Sequence, residues 1–501
     1  MDPAQVERLI AERGVEVVKV GGADMDGVFR GKRILAAHFL DGCRGPGFPQ
    51  CDVIFGWDIQ EQLIDGLALG SAATGFADIV MRPDLSTFRI VPWEPSAAAV
   101  ICDYDDEHGA PLAVSPRQVL RRVVERAAGL GYRPYMAVEL EVRIFREDQQ
   151  SLRAKGYTGL EPISPGLNCY SLHHASLDED VVGAIRRQMI EYGVPVEGYN
   201  REHGAGMYEL NLHYADAVTA ADRALLYKSG AKEIAAQQGV VPTFMAKYDD
   251  RIDGCSGHLH QSLWSLDGER SAFWDADAPH HASEVMRWYA AGVLATLPEL
   301  MLLYAPNVNS YKRFVAGSWA PTNVTWGVEN RTAALRFITG APNACRIENR
   351  VAGADVNAYL GFAATLAGGL YGIERKLALP PPTEGDAYRA EAAPLPRSLP
   401  EAVERFAASA VARPEALVEV PAAAVEVVGV LRHERRRGAH LGRDLLGGAL
   451  VEHRLVRGAQ GIGIVDVDLV HARAVLAVIS FDLDPVRVQH LADAPDYRLV
   501  D

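Results

Sequence analysis

Cysteine is scarce in this chain: six occur among 501 residues, at positions 43, 51, 102, 169, 255 and 345, and no two form a C-x-x-C pair. That scatter excludes a disulfide framework and a zinc knuckle and leaves reduced thiols as the expectation. No apolar run reaches the ~18 residues that a membrane span requires. The N-terminus, Met1-Asp2-Pro3-Ala4-Gln5, lacks the basic-then-apolar pattern of a secretory signal. Basic residues are in deficit, 50 Lys and Arg against 65 Asp and Glu, for a net charge of −15. Nucleic acid and anionic membranes are thereby disfavoured as partners, since both need a basic surface. With 49% hydrophobic and 23% charged residues, the composition is that of an ordinary globular chain. A soluble cytoplasmic protein with two or three domains is expected.

What is present begins with Ala137-Val138-Glu139-Leu140-Glu141-Val142-Arg143-Ile144-Phe145. Apolar residues alternate there with Glu139, Glu141 and Arg143, which predicts a strand with one carboxylate face. Two carboxylates ~4 Å apart repel by about 4 kcal/mol at an effective dielectric near 20, unless water or a cation intervenes. Alone, this pattern reads as a solvated edge strand. The same arrangement recurs on four more predicted strands, and that changes the reading.

Between Val15 and about Tyr104, short apolar runs alternate with turn residues, as expected of a small sheet-rich unit. The stretch from Gly27 to Lys32 fails the phosphate-loop pattern and reads as a turn. Ser115 and Pro116 open a helix carrying Val119, Leu120, Val123 and Val124, closed by Gly129 and Gly131. Asp178 is the expected cap of a second helix, which ends at Gly193. In Arg201-Glu202-His203-Gly204-Ala205-Gly206-Met207-Tyr208-Glu209 the glycines permit a loop that brings Glu202 near Glu209, with Glu209, Asn211 and His213 on one face. His258, His260 and Ser262 share a face further on, as do Arg346, Glu348 and Arg350.

If these faces converge, Glu139, Glu141, Glu202, Glu209 and Glu348 place five negative charges in one cavity, a burden that two divalent ions would largely offset. Oxygen ligands with one imidazole suit Mg²⁺ or Mn²⁺ better than zinc. Arg313, Arg331, Arg336, Arg346 and Arg350 then need anions. Phosphates and a carboxylate substrate satisfy both demands, which points to phosphoryl transfer.

The segments VELEV, REHGAGMYE, SGHLHQSL, NSYKRF, ENRTAALRF and RIENR, in this order, resemble the glutamine synthetase superfamily over roughly residues 15 to 410. The resemblance implies an α+β fold: a small β-grasp-like domain at 1–105, and a catalytic domain at 106–412 with a curved antiparallel sheet lining a funnel-shaped site and flanking helices. Residues 413–501 read as an atypical extension or as out-of-frame translation. The resemblance also implies a ring-shaped homo-oligomer, a hexamer or dodecamer. ATP would phosphorylate the γ-carboxylate of glutamate, and a nitrogen nucleophile would displace phosphate. Position by position, Glu141, Glu202 and Glu209 would hold one metal ion, and Glu139, His258 and Glu348 the other. His260 and Arg331 would address the transferred phosphoryl group, Arg336 and Arg346 the ATP phosphates, and Arg313, Arg350 and Gly254 the glutamate.

Departures from the family refine this expectation. Where ammonia-using members carry a flap glutamate that takes a proton from ammonium, this chain has Trp319. An indole packs against carbon or sits over a cation but accepts no proton. That resembles the branch of γ-glutamyl-amine ligases, which use a small organic amine. Asp58, contributed by a neighbouring subunit, and Tyr170 would join Trp319 at the amine site. Met207 replaces a frequent glutamine, and Tyr388 does not match the adenylylated tyrosine of some members. Alternatives are an ammonia-using glutamine synthetase and a catalytically silent sensor or scaffold. The silent reading would entail lost ligands, whereas all six positions are filled.

Overall fold

Six strands form from the alternating segments before residue 106: β1 (Val17–Ala23), β2 (Phe29–Leu35), β3 (Phe48–Cys51), β4 (Asp78–Pro83), β5 (Arg89–Ile90) and β6 (Ala97–Asp105). Their order is β2-β1-β6-β4-β3, with β5 on β6. This is seen in a computed structural model that describes residues 1–64 and 66–409. The expected extension at 413–501, with its apolar runs at 460–483, glycines 458, 461 and 463 and basic cluster 433–437, lies outside the described residues. The turn expected at Gly27–Lys32 is shorter than that. Gly31 and Lys32 pair within β2, opposite Gly21 and Val20. Facing glycines let the two strands approach so closely that a Cβ on Gly31 would meet the Val20 carbonyl at 2.0 Å.

The second sheet comprises β7 (Tyr132–Phe145), β8 (Val196–Arg201), β9 (Met207–Leu212), β10 (Ala215–Asp216), β11 (Val241–Thr243), β12 (Gly257–Ser265), β13 (Trp326–Val328), β14 (Leu335–Ile338) and β15 (Arg346–Asn349). It runs β13-β14-β15-β12-β7-β9-β8, with β10 and β11 also on β7. Every pairing is antiparallel except β13 with β14. This α+β architecture, with a large curved antiparallel sheet, is the expected one. Along β7, Val138, Leu140, Val142 and Ile144 are buried in the core on the face opposite the carboxylates.

The Pro116–Gly129 helix forms as expected, but the Ser115 hydroxyl makes no capping bond. Pro116 has no N–H, so one terminal donor is already removed. Asp178 precedes the Glu179–Glu191 helix without capping it through its side chain. Its buried carboxylate instead accepts from Ser164 Oγ at 2.7 Å, Tyr208 Oη at 2.6 Å and Arg201 Nη1 at 3.1 Å. A fully buried guanidinium needs that countercharge more than the helix terminus does.

Arg117 ties the first sheet to two helices. Its guanidinium donates to Asp84 at 2.8 Å, to Asp103 at 2.9 Å and, bidentate, to Asp222 at 2.9 and 2.8 Å. Tyr359 Oη also donates to Asp222, at 2.6 Å. One buried cation thus connects the first sheet with the Ala217–Gln237 and Ala358–Arg375 helices. No helix among the described residues is long and apolar enough to cross a membrane.

Candidate active site

Register builds the site. Glu139 on β7 stands opposite His258 on β12, and Glu141 opposite Glu209 on β9. His260 lies opposite Glu348 on β15, which is itself opposite Arg336 on β14. Directly opposed residues have Cβ atoms about 5 Å apart, so five strands place their polar faces in one row. Two groups result, Glu139–His258–Glu348 and Glu141–Glu202–Glu209, each with donor atoms within 4.8 Å of one another.

The groups differ in countercharge. His258 Nδ1 lies 3.4 Å from Glu139 and 3.2 Å from Glu348. Glu348, 1% exposed, also receives Arg336 Nη1 at 3.0 Å and pairs with Arg350. Burial would raise its pKa, but Arg350, His258 and His260 outweigh burial and hold it at about 2. Glu139 is likewise held low despite burial, by His260 and His258. His258 is pushed down to about 4, by burial and then by Arg350, so its ring is neutral. His260 accepts at Nδ1 from Arg346 Nε at 3.0 Å, leaving Nε2 as the protonated nitrogen. That nitrogen is 3.0 Å from Glu139 Oε1 without hydrogen-bond alignment.

Among the described residues no arginine forms an ion pair with the second group, and Arg313 and Arg350 act on Glu141 and Glu202 only from a distance. Ser256 N–H donates to Glu141 Oε2. Asn200 Nδ2 donates to Glu202 at 2.7 Å and Asn211 Nδ2 to Glu209 at 3.0 Å. Burial, with Glu202 beside it, raises Glu141 to about 7. Burial and the charges of Glu139, Glu141 and Glu202 raise Glu209 to about 9. A group of acids that resists ionising is short of positive charge. Five carboxylates and one neutral imidazole make a donor set that fits hard divalent cations.

Around this row, Arg336 also bonds Glu329, at 3.0 Å from Nε. Arg313, buried, donates to the carbonyls of Val351 at 2.8 Å and Arg350 at 2.9 Å, and burial lowers its pKa to about 10. Gly254 lies against it, since a Cβ there would meet Arg313 Cγ at 2.7 Å. Arg350 Nη2 reaches the Trp319 carbonyl at 3.5 Å, while its buried Nε has no acceptor among the described residues. Arg331 is exposed, in a turn whose Asn330 donates to Thr383 O at 3.1 Å and Gly385 O at 2.9 Å.

Trp319 is 55% exposed with φ of 64°, and Tyr170 69% exposed with φ of 58°. The Tyr170 pKa is raised by burial and by Glu202 and Glu209, which sets it beside the second group. Asp58 is elsewhere, in the Trp57–Leu63 turn, its Oδ1 accepting from the Gln60 and Gln62 amides at 2.9 Å each. No hydrogen bond or ion pair among the described residues joins it to either group. His213, expected to share the face of Glu209, instead lies beyond β9 and pairs with Glu197. Several site neighbours were not singled out from sequence. Arg143 and Asn211 were visible as members of the alternating faces. Glu329 was visible only as the first residue of ENRTAALRF, and neither its left-handed turn, φ of 51°, nor its bond to Arg336 was legible there. Tyr388, set aside in the sequence, has its hydroxyl buried beside the Trp319 backbone.

A model of the glutamine synthetase catalytic domain matches residues 113–421. The chain belongs to the glutamine synthetase family. It is 42% identical over 412 residues to a glutamate–isopropylamine ligase of a Pseudomonas species, covering 82% of this chain and 90% of that one. It is 40% identical to a type-1 glutamine synthetase of Dictyostelium discoideum (79% and 76% covered) and 40% to a γ-glutamylethanolamide synthetase of Streptomyces coelicolor (82% and 87%). A solved structure described as a GmaS/ADP complex superposes with a TM-score of 0.71 at 28% identity, covering 82% of this chain and 91% of that one. The protein is an ATP-dependent carboxylate–amine ligase.

Proposed function

We propose that the enzyme joins the γ-carboxylate of glutamate to a small organic primary amine through a γ-glutamyl phosphate intermediate. The observation that carries this reading is Trp319, a half-exposed indole next to Arg350 where an ammonia site needs a proton-accepting carboxylate. Burying the carbon of an amine stabilises by about 25 cal/mol per Å², whereas ammonium offers no such surface.

In this reading Glu139, His258 and Glu348 hold one Mg²⁺ or Mn²⁺ and Glu141, Glu202 and Glu209 a second. The ions, when bound, neutralise charge on ATP and on the transferred group. Arg336 and Arg346 orient the nucleotide phosphates, and Arg331 and His260 face the moving phosphoryl group. Arg313, Arg350 and Gly254 receive glutamate. Trp319 and Tyr170 line the amine's approach, and Asp58 reaches the site from the adjoining copy in a ring-shaped homo-oligomer.

The relatives named as isopropylamine and ethanolamide enzymes support this reading. The Dictyostelium relative, named a glutamine synthetase, supports the alternative of ammonia as nucleophile. Phosphate release, measured with glutamate, ATP and a panel of alkylamines, ethanolamine, polyamines and anilines against ammonium, decides between them. A primary amine used far more efficiently than ammonium at neutral pH is expected. Faster formation of glutamine than of any γ-glutamyl amide would establish the alternative.

A further inference from the structure

Arg143 is the third member of the β7 row that begins with Glu139 and Glu141, and none of the roles above uses it. It is 2% exposed and, among the described residues, forms no ion pair. Its Nη1 donates to the Ala205 carbonyl at 2.6 Å, and its Nη2 to the Asp253 carbonyl at 2.9 Å and to Met207 Sδ at 3.3 Å.

The two carbonyls belong to different loops. Ala205 lies between β8 and β9, in the loop that carries Glu202. Asp253 begins the run through Gly254, which abuts Arg313, to Ser256, whose amide donates to Glu141. His203 Nδ1 and Asp253 Oδ2, 2.7 Å apart, cross between the same loops nearer the surface. Leaving a cation buried without a carboxylate partner is costly, so a rigid fork is retained here at the expense of stability. Its planar geometry holds two acceptors in fixed relation, which a lysine or a water does less well.

We propose that Arg143 is a positioning residue that locks the Glu202 loop and the Asp253–Ser256 segment into one unit. It thereby fixes the Glu141–Glu202–Glu209 group relative to the glutamate end of the site. The proposal rests on reading that group as a divalent-cation site. It also accounts for Met207, where the family more often has glutamine, since a thioether accepts from the guanidinium without adding a competing donor.

The test is Mn²⁺ binding followed by electron paramagnetic resonance without nucleotide or glutamate, together with KM values for glutamate and ATP. Arg143→Met is expected to weaken one of two Mn²⁺ sites by about 10-fold or more, the usual range for a residue supporting metal ligands. Glutamate KM should rise by a similar factor while ATP KM stays within about 2-fold. Arg143→Lys should fall between variant and wild type. Gly204→Ala offers an independent displacement, because its Cβ would meet Arg143 Nη2 at 2.7 Å and Met207 Sδ at 2.9 Å. It should give the same pattern at smaller size, and with Arg143→Lys it decides the matter if Arg143→Met does not fold. Fewer than two Mn²⁺ on the wild type would overturn the reading of the carboxylate groups and this proposal with it. Two on the wild type, with variants that alter neither site or that weaken both sites and both KM values in step with thermal stability, would overturn the proposal alone.

Discussion

An indole accepts no proton, so placing a carboxylate at position 319 of the proposed amine site changes the chemistry on offer. Trp319→Glu is expected to shift the ratio of products toward glutamine from ammonium, and Trp319→Ala to weaken amine use without restoring ammonia chemistry. Product analysis with both nucleophiles present checks this. The residue already tolerates a left-handed backbone, so neither change adds backbone strain beyond what is there. The two carboxylate groups predict opposite behaviour in metal-free protein. Glu348→Ala strands the buried Arg350 and leaves Arg336 only Glu329, and should cost about 3–5 kcal/mol. Glu141→Ala removes a buried acid already pushed up to about 7, and should leave stability within about 1 kcal/mol of wild type. Both should strongly reduce turnover. Thermal unfolding in chelator separates them, and equal losses would contradict the electrostatic assignment. These residues were legible because each alternates with apolar neighbours on a strand. Arg336 and Arg350 were legible too, but their pairing to Glu348 was not, because cross-strand register is a property of two distant segments together.

At the level of elements, the sequence revealed β7, β9, β12 and β15 through period-two patterning, which is local. It missed that the Asp178 carboxylate serves a buried arginine instead of its helix terminus, a competition settled by tertiary burial. The Ala217–Gln237 helix contributes a less visible support. Its Lys228 donates to the carbonyls of Ala354 at 3.0 Å and Val356 at 3.2 Å, and burial lowers its pKa to about 8. The unfolded chain keeps that proton to ~10.5. Between pH 8 and 10.5 the unfolded state therefore binds more protons than the folded one, and stability rises with pH there by up to about 1.4 kcal/mol per unit. Below pH 8 both states are protonated and the burial cost is constant. Relative to Lys228→Met, the wild type should gain stability from pH 8 to 10. A difference independent of pH would show that the folded protein leaves the Lys228 amine at its ordinary pKa.

For the molecule as a whole, the Arg117 hub fastens the first sheet to the helices behind the second, while Asp58 stays in its own turn. In the proposed arrangement the site draws on Asp58 and is complete only when two copies meet. The isolated monomer is accordingly expected to be inactive, checked by light scattering alongside activity, and a fully active monomer would refute it. Glu348 carries a further consequence for how such a site fills. In the resting protein its charge is already matched by Arg336 and Arg350, the arginines proposed to receive phosphate and substrate carboxylate. An arriving phosphate that draws Arg336 away would hand a negative charge back to the proposed cation-binding group. Reciprocity then requires that whatever factor nucleotide adds to cation affinity, cation adds to nucleotide affinity. In the proposed arrangement the resting ion pairs thus act as a stored bias against half-loaded states, and calorimetric coupling between nucleotide and Mn²⁺ should shrink in Arg336→Met, which leaves Glu348 only its Arg350 partner.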